Sequence, residues 1–301
     1  MNRAQLKGRF SQLRVWTRQD QRAPHKPLLA LYAIGRIFAQ KPRLTRFDEI
    51  ERPLTDLLRE FGPSRSSYHP EYPFYRLAAD GIWELTAIEG AVTRASNADP
   101  KKTELKRLGT KGGFTQEVFE LLRRDPALCG ELVNELLHAH FPETFHRDLL
   151  DAVGIPGGAL FAPIEPPRGR SKAFREQILT AYEYCCAICG LDIRLGAGTI
   201  AIEAAHIKWH HAGGPDTESN GLALCSLHHK LFDRGVFTFG ENRALLVSER
   251  AVGGTGFEHW VLRFHGREPS APIRMEYRPK DEFVAWHRSE VFQEPPREIT
   301  S

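Results

Sequence analysis

The chain has 301 residues, 41% of them apolar and 26% charged, with a formal net charge of +3. That length suits two domains, each able to bury its own core, and the balance is ordinary for a soluble globular protein. No run of about 18 apolar residues occurs, which excludes a membrane-spanning helix, and charges interrupt MNRAQLKGRFSQLRVW where a secretory leader would be apolar. A cytoplasmic location is expected.

Taken in order, Leu6, Phe10 and Leu13 recur at helical spacing in the first 16 residues. LLALYAIGRIF then reads as a buried helix starting near Pro27, because proline is tolerated at a helix start. DEIERPLTDLLREFG gives a third helix, ended by Gly62-Pro63, with Pro53 shifting its start towards Glu51. FYRL and IWEL, joined across Ala78-Ala79-Asp80-Gly81, read as a hairpin. Helices followed by a hairpin suggest a winged-helix-like unit. Lys101, Lys102, Lys106, Arg107 and Lys111 crowd a loop-like segment, and three short helices fill 115–153 with breaks at Asp125-Pro126 and Phe141-Pro142. Cys129, in an apolar periodic run, reads as a small buried thiol.

The Gly- and Pro-rich stretch 154–170 reads as a linker between domains at 1–153 and 171–301, with Arg168, Arg170, Lys172 and Arg175 as a second basic cluster around its end. Phe174, Ile178, Leu179 and Tyr182 then give a helix running into the first cysteines. Further on, ALLVSERAV, HWVLRFHG and PIRMEY read as strands, and KDEFVAWHRSEVF as a closing helix. The fold class expected is α+β.

Four of the five cysteines fall between Tyr184 and Phe239. Cys186-x-x-Cys189 and Cys225-x-x-His228 each supply two ligands from a tight turn, and together they complete the closed tetrahedron of a structural zinc. Cys185 competes with Cys186 for the first position, but two intervening residues favour Cys186. Between the pairs, TIAIEAAHI reads as a strand ending near His206, followed by a loop holding Asn220 and then a turn into a helix over LALCSLHHKLFD.

Strand, loop and helix carrying His, Asn and His in that order form a ββα-metal arrangement, and here the sequence resembles the HNH nucleases. EAAHIKW, GGPDTESNGLALC, HHKLFDRGVF and WHRSEVF carry the resemblance over most of 171–292. It implies that His206 is the general base, that His229 binds a catalytic divalent cation such as Mg²⁺ or Mn²⁺, and that Asn220 orients His206 or its loop. Asp233, one helical turn after His229, is the expected second ligand. Many HNH proteins carry an Asp or His immediately before the base, whereas this chain has Ala205; Glu203 is a weak candidate for the missing ligand, because strand alternation points it away. His210 and His211 are candidates for assisting at the phosphate.

RAPHKPLLAL, SSYHPEYPFYRL and DGIWEL resemble the sulfur-binding domain of phosphorothioated-DNA-dependent restriction endonucleases, over about 1–150. A non-bridging sulfur is larger, softer and less well hydrated than oxygen, so a shallow apolar pocket discriminates it. The resemblance gives His25 and Lys26 the positive charge and Tyr72 and Pro73 the apolar faces; Tyr68, His69 and Pro70 form a rival cluster. The expectation is therefore a type IV-like, zinc-stabilised, metal-dependent HNH endonuclease acting on phosphorothioate-modified double-stranded DNA, working as a homodimer so that both strands are cut. An HNH nuclease for another DNA modification and a non-catalytic zinc-stabilised DNA-binding module are the alternatives.

Overall fold

The computed structural model of the protein describes residues 1–13, 24–87, 99–156, 172–196 and 198–299. The chain divides into two compact units, Met1–Pro163 and Ile164–Ser301. From residue 157 onward the expected linker lies outside the described residues, together with Arg168 and Arg170.

The first unit runs α1 (Arg3–Ser11), α2 (His25–Phe38), β1 (Thr45–Arg46), α3 (Phe47–Phe61), α4 (Glu71–Arg76), β2 (Trp83–Thr86), α5 (Lys102–Arg107), β3 (Lys111–Phe114), α6 (Gln116–Arg124), α7 (Pro126–His140) and α8 (Glu143–Val153). α2 is its central helix, packing on α3, α4, α6, α7 and α8. Leu28, Leu29, Leu31 and Ile34 are fully buried there, each burial contributing roughly 1.5–3 kcal/mol. α3 starts at Phe47, ahead of Pro53, and not near Glu51: Phe47, Ile50 and Leu54 are buried on one face, and that packing holds the turn before the proline.

The expected hairpin is replaced by a different pairing. Phe74 to Leu77 lies in α4 and the single helical turn after it, where Pro73 suits a helix start and Phe74 is fully buried. IWEL does form a strand, but β2 pairs antiparallel with β3, Trp83 opposite Phe114, in a three-stranded sheet of order β1-β3-β2. Gly113 is forced by close approach, since a Cβ there would sit 2.1 Å from the Arg43 carbonyl oxygen. The basic segment 101–111, expected as a loop, is α5 with its continuation into β3.

The second unit runs α9 (Lys172–Ala181), β4 (Arg194–Leu195), β5 (Gly198–Thr199), β6 (Ile202–His206), β7 (Gly221–Cys225), α10 (Ser226–Asp233), β8 (Phe237–Phe239), β9 (Leu245–Val247), α11 (Thr255–Trp260) and α12 (Asp281–Glu290). β6 and β7 pair antiparallel with His206 opposite Gly221, and α9 and α10 both pack on them. Ile178, Leu179, Ile202, Leu222, Leu224 and Phe232 fill the core between these elements. Of the three later strands expected, only Leu245–Val247 forms. HWVLRFHG is helical, in α11 and the turn Leu262–Phe264, and PIRMEY carries the helical turn Met275–Tyr277. The first of these packs on the metal-type cluster: the Phe264 and His228 ring centroids are 5.8 Å apart.

Candidate metal centre and nuclease site

Cys186 and Cys189 lie on the turn after α9, closed by Gly190 with φ +73° in the left-handed region and its N–H on the Cys186 carbonyl at 2.8 Å. Cys225 ends β7 and caps α10, which places His228 in the first helical turn. The four ligand atoms lie within 4.8 Å of one another, the only such group among the described residues. Cys225 Sγ is 3.1 Å and Cys186 Sγ 3.6 Å from His228 Nδ1, and the Sγ atoms of Cys189 and Cys225 are 4.0 Å apart. Edges of roughly 3.5–3.8 Å are what a tetrahedral ion with S and N ligands needs, so the donor set fits.

His228 Nε2–H donates to the Trp260 carbonyl at 2.8 Å, which turns Nδ1 to the sulfurs as the coordinating atom. Burial opposes charge on this ring, yet the Cys186 and Cys189 sulfurs pull its pKa up to about 10. Cys185 is outside the set, half-exposed and directed to the Glu183 carbonyl.

His206, last residue of β6, stacks on Phe174 of α9 at 3.9 Å, and its Nε2 is 2.8 Å from Asp216 Oδ1. Asn220 is fully buried and clamps the intervening loop: its Oδ1 accepts from the Lys208 N–H at 2.9 Å, and its Nδ2 donates to the Lys208 and Pro215 carbonyls at 3.0 and 2.9 Å. Gly214 lets the loop close, because a Cβ would lie 1.8 Å from the Lys208 carbonyl. Asn220 thus bonds the loop backbone, the second of the two roles expected. His210 lies 6.0 Å from His206 between ring centroids, and His211 lies 5.2 Å from Trp209.

On α10, His229 sits between two carboxylates. Its Nδ1 is 2.7 Å from Glu203 Oε2 and its Nε2 is 3.3 Å from Asp233 Oδ2. Asp233 is buried, and its other oxygen accepts the Trp209 indole N–H at 2.8 Å. Hydrogen bonding to His229, against the opposing effect of burial and with help from Ser226, holds the Glu203 carboxyl below its ordinary range. The expectation that alternation turns Glu203 away is corrected: with a period of two, residues 203 and 205 share one face of β6, and Glu203 on that face reaches Ser226 and His229 of α10. Period-two counting back from Ala205 was the available signal. Asp216 and Trp209 reach the site through loop closure, for which no periodicity gives notice.

In the first unit, His25 opens α2, and Lys26 Nζ forms an ion pair with the nearly buried Asp80 carboxylate. The Tyr72 ring stacks on His69 at 4.6 Å and 9°, with the Arg76 guanidinium 4.9 Å from the Tyr72 centroid. His69 is held in turn by Glu71 at 2.8 Å and Ser67 at 3.0 Å. The two aromatic-proline clusters, 68–70 and 72–73, are thus one structure. Pro70 and Pro73 are buried, and Tyr68 and Tyr72 are half-buried. Lys102 Nζ donates to the Tyr68 carbonyl at 2.9 Å, which ties α5 to the same structure.

Residues 3–157, just over half of the chain, match the family described as ScoMcrA-like, DNA sulfur-binding domain. The chain belongs to that family. Residues 186–240 match a second family, HNH endonuclease, so the sulfur-binding domain is followed by a nuclease domain in one chain. No curated protein matches. Among solved structures, the sulfur-binding domain of ScoMcrA complexed with phosphorothioated DNA is 23% identical, covering 50% of this chain and 94% of that one, with a TM-score of 0.44. The sulfur-binding domain of SprMcrA complexed with phosphorothioated DNA is 21% identical over 52% of this chain and 95% of that one, TM-score 0.45. The Type IV phosphorothioation-dependent restriction endonuclease ScoMcrA is 22% identical over 50% of this chain and only 28% of its own length, TM-score 0.42. At these TM-scores the likeness carries no side-chain correspondence. No helix among the described residues is long and apolar enough to cross a membrane.

Proposed function

We propose that this protein is a metal-dependent endonuclease that recognises phosphorothioate-modified double-stranded DNA through its first domain and hydrolyses phosphodiester bonds near the modification with its second. The observation that carries the reading is the presence, in one chain, of a sulfur-binding family domain and an HNH domain in which His206, Asn220, His229 and Asp233 stand on one ββα unit. In the proposed roles, Cys186, Cys189, Cys225 and His228 hold a structural zinc, and His229 and Asp233 hold a catalytic Mg²⁺ or Mn²⁺. Bound there, such a cation would supply Lewis-acid stabilisation of the negative charge that grows on the phosphate and the leaving 3′ oxygen.

The protein's own part follows from its contacts. If His206 donates Nε2–H to Asp216, Nδ1 is the basic nitrogen that takes the proton of the attacking water, and the carboxylate stabilises the imidazolium formed. Phe174 fixes the ring plane from one side. Asn220 keeps residues 208 and 215 together, so Asp216 stays within reach of the base. On the recognition side, His25 and Lys26 with Tyr72, Pro73 and the Tyr68-His69-Pro70 turn are the proposed sulfur-contacting set. A homodimer would place one such site on each strand.

The test is cleavage of matched duplexes, with and without a phosphorothioate link, in Mg²⁺ or Mn²⁺. Cutting confined to the modified duplex is expected, with His206→Ala binding that duplex but leaving it whole. Equal cutting of both duplexes would sink the sulfur reading, and absence of cutting in any cation would sink the nuclease reading.

A further inference from the structure

We infer that Glu203 is a positioning residue for the catalytic cation, acting through His229 and not as a ligand itself; this rests on the proposed cation site at His229 and Asp233. Both ring nitrogens of His229 face carboxylates, and the two contacts differ in kind. Glu203 Oε2 stands 2.7 Å from Nδ1, the length of a charge-assisted hydrogen bond. Asp233 Oδ2 stands 3.3 Å from Nε2, close to the roughly 3 Å between neighbouring ligand atoms that each bind one octahedral cation at about 2.1 Å. Only one of the two nitrogens can carry the proton of a neutral ring. Proton on Nδ1 towards Glu203 leaves the Nε2 lone pair and the Asp233 oxygen converging on one point.

The supports of the two carboxylates agree with this division. Glu203 is anchored on β6 and accepts the Ser226 hydroxyl with its second oxygen, so both its oxygens are committed to protein groups. Asp233 gives one oxygen to the Trp209 indole and has the other beside Nε2. A carboxylate behind a ligating histidine fixes its tautomer and raises its basicity, and loss of such a partner typically weakens metal binding by about 10–100-fold.

The experiment titrates Mn²⁺ into the zinc-loaded full chain, following the loss of the free-ion paramagnetic resonance signal, alongside thermal unfolding and binding of modified DNA. Glu203→Ala should weaken Mn²⁺ binding by about 10–100-fold, and Glu203→Gln, which keeps an acceptor for Nδ1–H, should recover most of it. Unfolding and DNA binding should not move. Unchanged Mn²⁺ affinity in Glu203→Ala would overturn the inference. So would a loss in Glu203→Gln as complete as in His229→Ala, because the carboxylate would then be a ligand. Mn²⁺ binding that survives both His229→Ala and Asp233→Ala would instead overturn the cation site, and the inference with it.

Discussion

In its proposed role His206 serves the chemistry and not the fold, because its ring packs at the end of a strand on Phe174 and is not among the fully buried residues of the core. Removing it should lower cleavage by about 10²–10⁴-fold, the usual contribution of a general base, while melting and DNA binding stay put. A second residue makes a prediction about pH. His140, at the end of α7, has its pKa pushed down to about 4 by burial. The unfolded chain, near the ordinary value of about 6.5, therefore takes up this proton first as pH falls. The contribution of this group to stability is level above that value, is lost between it and about 4, and levels again below. Thermal unfolding followed across that window should show the loss, and His140→Phe should flatten it. At this scale the zinc-type ligands were legible, since paired ligands with two residues between them come from a single turn. Asp216 was not, because nine intervening residues separate it from His206.

Among the elements, β3 forms against its local propensities. Its KGGF carries two glycines, which strands disfavour, whereas FYRL, next to IWEL in the chain, has the aromatic residues that strands favour. The glycines are there because the tertiary structure leaves no room for more: Phe74 and Trp83 crowd Gly112, and the Arg43 carbonyl crowds Gly113. Gly113→Ala should therefore destabilise the protein by about 1–3 kcal/mol through overpacking, measurable as a lower urea midpoint. HWVLRFHG illustrates the converse. Its apolar and aromatic residues fit a strand by propensity, but the chain curls so that the Trp260 carbonyl and the Phe264 ring both meet His228. By contrast α2, α6, α7 and α8 were legible, because their apolar spacing and the Asp125-Pro126 and Phe141-Pro142 breaks are local signals.

For the whole molecule, the two units bury separate cores, and among the described residues the metal-type cluster lies in the second. Stripping the ion with a strong chelator, or substituting Cys225→Ser, should unfold the second unit and leave the first folded, since the binding free energy of a structural zinc is also folding free energy. The expected record is two-step thermal unfolding in which only one step depends on zinc. Binding of phosphorothioate DNA should then persist without cleavage. Loss of both steps together would show that the units do not fold independently.

Residue order alone carries the paired Cys and His spacings and the helical periodicity around α2, because each involves residues within a turn or two of one another, and it carries the succession His206, Asn220, His229 as a motif along the chain. Folding adds that Glu203 meets His229, that Asp216 meets His206, that β2 pairs with β3, and that two aromatic-proline clusters are one. Those contacts depend on loop closure and on which faces pack together, and neither is encoded in any single window of the chain.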